Sequence, residues 1–76
     1  MTAELYALLR ELRQREIYFE LRYSRADYIM VLVFVPGERW EIEFPESGEV
    51  EVEIFRSDGS ILGASALTDL FDKFSD

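Results

Sequence analysis

The sequence predicts an α+β domain: a four- to five-stranded antiparallel meander sheet with an N-terminal and a C-terminal helix packed on one of its faces. Three observations carry this prediction. Tyr28 to Val35, YIMVLVFV, is an unbroken apolar run between Asp27 and Pro36-Gly37, too short for a membrane span and rich in strand-forming residues. On either side of it lie stretches that alternate apolar and polar residues with period two, separated by turn chemistry. At each end of the chain, apolar residues recur with the helical spacing i, i+3, i+4, i+7.

The N-terminal stripe is Leu5, Leu8, Leu9 and Leu12, with Thr2 placed to cap it and Arg10, Glu11, Arg13, Gln14 and Arg15 on the solvent side. A core-facing amphipathic helix is the expectation, ending near Arg15–Glu16 where the period changes. From Ile17 the period is two: Ile17, Phe19, Leu21 and Tyr23 on one face, Tyr18, Glu20 and Arg22 on the other. Ser24-Arg25-Ala26-Asp27 has the length of a hairpin loop, so this strand pairs antiparallel with the apolar run.

After Pro36-Gly37-Glu38 the alternation resumes, with Trp40, Ile42 and Phe44 inward and Arg39, Glu41 and Glu43 outward. Pro45-Glu46-Ser47-Gly48 makes the next turn. Glu49–Phe55 then carries Val50, Val52 and Ile54 inward and Glu49, Glu51 and Glu53 outward. Phe44 can oppose Val50 or Gly48, but apolar must face apolar, so Glu41 and Glu43 stand opposite glutamates in either register. Ser57-Asp58-Gly59-Ser60 is a further turn, Ile61-Leu62 a candidate short return strand, and Ser65 a cap for the stripe Leu67, Leu70, Phe71 and Phe74. The chain thus reads as one α-β-β-β-β-(β)-α domain over residues 1–76.

The 76 residues contain neither cysteine nor histidine. Disulfides and thiolate metal sites are excluded, and the commonest general base and transition-metal ligand is missing. Phosphate loops, nucleophile elbows and zinc spacings are absent. No leader or membrane-length run is present, so the default expectation is a cytoplasmic protein.

The formal net charge of −8 is unevenly spread. Residues 1–25 hold five Arg against four Glu, whereas residues 38–53 hold seven Glu against one Arg. That balance disfavours nucleic acid, which needs a basic footprint, and favours a basic protein partner. The bland alternative is charge that serves only to keep a small domain in solution. A flat row of strand glutamates splays its ligands apart, so neither a metal site, a cofactor nor a catalytic carboxylate pair is expected.

A strand apolar on both faces wants cover on both. With both helices on one side, Ile29, Val31, Val33 and Val35 are expected on the other, beside the glutamates and Tyr18. Tyr18, Val31, Val33 and Val35 form the predicted contact patch, closed by a second copy, a different protein, or one helix crossing over.

The stretch Pro36-Gly37-Glu38-Arg39-Trp40-Glu41-Ile42-Glu43-Phe44, with Gly48-Glu49-Val50-Glu51-Val52-Glu53 and Ser57-Asp58-Gly59, resembles an acidic-hairpin pattern of small bacterial proteins to which no activity is assigned. The resemblance covers about a third of the chain and implies a bacterial origin. The functional expectation is a non-enzymatic interaction domain, immunity- or antitoxin-like, presenting Glu41, Glu43, Glu51 and Glu53 to a basic partner. The alternative is a structural or accessory domain whose main contact is homodimerisation through its apolar sheet face.

Overall fold

A computed structural model describes residues 2–25 and 27–74, with the backbone alone at 2, 24 and 25. The elements run α1 (Thr2–Gln14), β1 (Tyr18–Arg25), β2 (Tyr28–Val35), β3 (Glu38–Pro45), β4 (Glu51–Arg56) and α2 (Ser65–Phe74). The four strands form one open antiparallel sheet in chain order, so the α+β meander is as the sequence predicts. Ile61 and Leu62 form no strand. The Thr2 side chain and Ala26, assigned to a cap and to the first loop, lie outside the described residues.

The ends of α1 follow from local chemistry. The Ile17 amide donates to the Leu12 carbonyl at 2.9 Å and the Glu16 amide to the Arg13 carbonyl at 3.1 Å, while Glu16 takes a left-handed φ of 57°. This is a Schellman closure with glutamate where glycine is usual, and it turns Ile17 back against the core beside Leu12.

The loop after β2 sets the sheet. Pro36 supplies the fixed φ of a first turn position and Gly37, at φ 77°, the left-handed second one, so Val35 pairs with Glu38 across a two-residue connection. Every later pair follows: Val33 opposite Trp40, Val31 opposite Ile42, Ile29 opposite Phe44. Partners share a face, so the odd-numbered valines lie with the inward set of β3.

That pairing corrects the expected contact patch. Val31, Val33 and Val35 sit on the helix side, where Val31 is 0% exposed and packs in one cluster with Leu5, Leu12, Val33, Ile42 and Phe44. Leu8, Leu9, Ile17, Phe19, Val35, Trp40 and Val50 pack around the cluster. Tyr18 lies on the opposite face, level with Phe34. The four residues therefore fall on two sides of the sheet, and α1 already covers the valines.

The expected place of the second helix is also corrected. α1 lies on the sheet, but α2 buries none of its residues. The molecule measures 45 × 31 × 15 Å with a radius of gyration of 15.9 Å. A compact chain of this length has a radius of roughly 11 Å. On the helix side, the β4 half of the sheet is left with Val52 exposed and Ile54 and Trp40 half-buried. Among the described residues, no helix is long and apolar enough to cross a membrane.

Candidate functional site: the helix-free face

The face away from α1 is built in three rows by the strand register. One row across the sheet is Tyr18, Phe34, Arg39 and Phe55; the next is Glu20, Leu32, Glu41 and Glu53; the third is Arg22, Met30, Glu43 and Glu51. The alternate set of β2 facing this way is thus Met30, Leu32 and Phe34. Leu32 is buried even without a helix above it, flanked by Glu20 and Glu41 across the strands and Met30 and Phe34 along its own.

The side chains of the first row pack on one another and remain exposed. The Tyr18 and Phe34 rings tilt against each other at 5.7 Å, and the Arg39 guanidinium lies 4.4 Å above the Phe55 ring. Arg39 also reaches Glu41 at 3.2 Å. The Tyr18 hydroxyl donates to Glu20 at 2.7 Å, and that bond to a neighbouring carboxylate raises the phenol above its usual 10.0.

The carboxylates expected from the sequence come together in the other two rows. Glu41 is directly opposite Glu53, and Glu43 directly opposite Glu51. Opposed residues stand about 5 Å apart at Cβ, and alternate residues of a strand about 7 Å apart. The four therefore form a rectangle of carboxylates around a shallow depression of about 290 Å³. Glu49, read as part of the same row, precedes β4 and is outside the ladder. Continued one residue beyond Glu43 and Glu51, the register sets Val50 rather than Gly48 against Phe44.

Glu38 behaves differently, because it shares a face with Trp40. Its carboxylate accepts from the Trp40 indole at 2.9 Å and from Arg56 Nε at 3.0 Å. These two bonds, the indole's first, hold it below its usual 4.5. The sequence reading had no place for this bridge, although the i, i+2 spacing of Glu38 and Trp40 announces that they share a side. The arginine–aromatic row was missed for a similar reason. Its signal is the parity of Arg39 with Glu41, combined with a two-residue turn at Pro36-Gly37.

Among the described residues, no three carboxylates gather closely enough to hold a metal ion. The glutamate rectangle offers a flat, open, anionic surface. Such a surface suits several cations presented side by side by another macromolecule. It does not enclose a small substrate.

Scans against protein-family models, curated proteins and solved structures returned no match to this chain.

Proposed function

We propose that the chain is a non-enzymatic protein-interaction domain whose acidic sheet face binds a basic protein partner, in the manner of an immunity protein or antitoxin. The observation that carries this reading is the pairing of Glu41 with Glu53 and of Glu43 with Glu51. Like charges placed directly opposite cost a few tenths to about 1 kcal/mol per pair in the free protein. A partner that inserts Lys or Arg between them turns that cost into attraction, and its approach is accelerated by the field of the row. The neighbouring Tyr18, Phe34 and Phe55 add an apolar margin on which arginine stems can lie. A bacterial, cytoplasmic setting is consistent with the acidic-hairpin resemblance and with a chain lacking cysteine.

The test uses a short arginine-rich peptide as probe and a Glu41→Gln/Glu43→Gln/Glu51→Gln/Glu53→Gln variant. Wild-type affinity should fall steeply as salt rises, and the variant should bind at least tenfold more weakly at low salt. Equal binding by the two proteins would refute the assignment of the face. Self-association through Tyr18 and the β2 valines is not carried forward, since α1 occupies the valine side.

A further inference from the structure

We propose that the acidic face takes its partner as a strand: an extended basic segment of another protein pairs antiparallel along the free edge of β4, with Lys or Arg at alternate positions beside Glu51 and Glu53. Resting on the acidic-face reading above, it names the form in which the cations arrive. Three features of β4 carry it: the direction of its backbone groups, the lack of edge protection, and the parity of its charges.

β4 ends the sheet, with β3 on one side and no strand on the other. The Ser57 amide donates to the Gly37 carbonyl at 2.9 Å, which makes that pair hydrogen-bonded and fixes the alternation behind it. Phe55 with Arg39, Glu53 with Glu41 and Glu51 with Glu43 are then the bonded pairs. Val52 and Ile54 lie between them, so their N–H and C=O groups point out of the sheet. Among the described residues, no backbone bond outside the ladder reaches residues 51–56. Val52 is 54% exposed, so solvent has access to this edge. A row of outward donors and acceptors is a template for one more strand.

The two edges of the sheet differ. β1 breaks register between Arg22 and Arg25, an irregularity that blunts an edge, and its Arg22 ends the third row in a cation. The β4 ladder runs from Glu38–Arg56 to Glu43–Glu51 without a break. Its helix-side residues Val52 and Ile54 bring no inward charge, and the strand holds no proline. What guards its middle is the negative charge of Glu51 and Glu53.

That guard is selective. Glu51 and Glu53 face one side and Val52 and Ile54 the other, so a segment alternating cations with β-branched apolar residues matches both sides at once. The depression among the carboxylates also takes in Val52, of opposite parity, so the β4 backbone forms its floor. A second copy of β4 would bring its own Glu51 and Glu53 alongside, and like charge disfavours that pairing.

The experiment uses the full chain and three short blocked peptides alternating valine and arginine: unmodified, N-methylated at the valines, and N-methylated at the arginines. In antiparallel pairing the peptide valines stand opposite Val52 and Ile54 and exchange bonds with them, whereas the arginine amides face away. At low salt, valine methylation should weaken binding roughly tenfold or more, and arginine methylation should change it by about twofold at most. Val52→Pro removes a donor that β3 does not use, so this variant should keep native Trp40 fluorescence and bind the unmodified peptide roughly tenfold more weakly. The peptide comparison stands even if that variant fails to fold. Equal binding of all three peptides overturns strand pairing; weaker binding of all three by the Glu41→Gln/Glu43→Gln/Glu51→Gln/Glu53→Gln variant would then leave the acidic face itself in place. Valine-methylation sensitivity that the four-glutamine variant retains at full affinity overturns the basic character of the strand together with the acidic-face reading. Failure of every peptide to bind overturns both as well. A mass of twice 8.9 kDa that Val52→Pro returns to a single one overturns the proposal in favour of a second copy.

Discussion

Converting one carboxylate of the rectangle to a cation tests its geometry directly. Glu53 stands opposite Glu41 on a solvent-facing ladder. At a charge separation of about 6 Å in water, the repulsion is roughly 0.7 kcal/mol before screening. It falls to about 0.3 kcal/mol at 0.15 M salt and stays near 0.6 kcal/mol at 0.01 M. Glu53→Gln removes that repulsion, and Glu53→Lys replaces it by attraction of similar size. The lysine variant should therefore be more stable by about 1.2 kcal/mol at low salt, a rise in melting temperature of roughly 4–9 °C for a domain of this size. The glutamine variant should gain about half as much, and salt should halve both. Arg39 already pairs with Glu41 at 3.2 Å, which pulls the gain toward the lower end. Thermal melts at the two salt concentrations provide the assay. A lysine variant that melts no higher than wild type at 0.01 M salt would show that the carboxylates do not face each other. The same change should weaken capture of the arginine-rich probe, so stability and binding should move in opposite directions.

Val31→Ala removes two methyl groups from a side chain that is 0% exposed; the lost transfer energy and residual cavity together cost about 2–3 kcal/mol, measurable by urea denaturation. Glu16→Gly relieves a left-handed φ of 57° at the end of α1; after the entropy lost to a more flexible unfolded chain, a gain of about 0.5–1 kcal/mol is expected, read as a melting temperature a few degrees higher. Glu38 is held below its usual 4.5 by Trp40 and Arg56, so its contribution is complete above that value and disappears as pH falls through the lower folded one. Glu38→Gln should be less stable than wild type at neutral pH but lose less between about pH 6 and about pH 3, and a parallel loss in both proteins would refute the bridge.

Much of this fold is written in periodicity. The Leu5–Leu12 stripe, the alternation from Ile17, and the Trp40-Ile42-Phe44 and Val52-Ile54 sets each name their own inward face, and each is found there or along the same ladder. The carboxylate pairs were legible for the same reason, since any register that opposes apolar residues also opposes the glutamates between them. Tyr28–Val35 carries no such label, because both of its alternate sets are apolar. Its parity is decided by Pro36-Gly37, whose two-residue connection puts Val33 against Trp40, and hydropathy alone does not carry that count. α2 shows a different limit. An amphipathic stripe specifies which side of a helix wants cover but says nothing of where the cover lies. That depends on the path of the connection between β4 and α2, which periodicity does not encode.

The order β1-β2-β3-β4 in space is also the order of synthesis. Each pairing closes a short loop, so the nucleus can zip from neighbour to neighbour, with little entropy spent on distant ends meeting. Sheet and α1 should mature within milliseconds as one unimolecular phase.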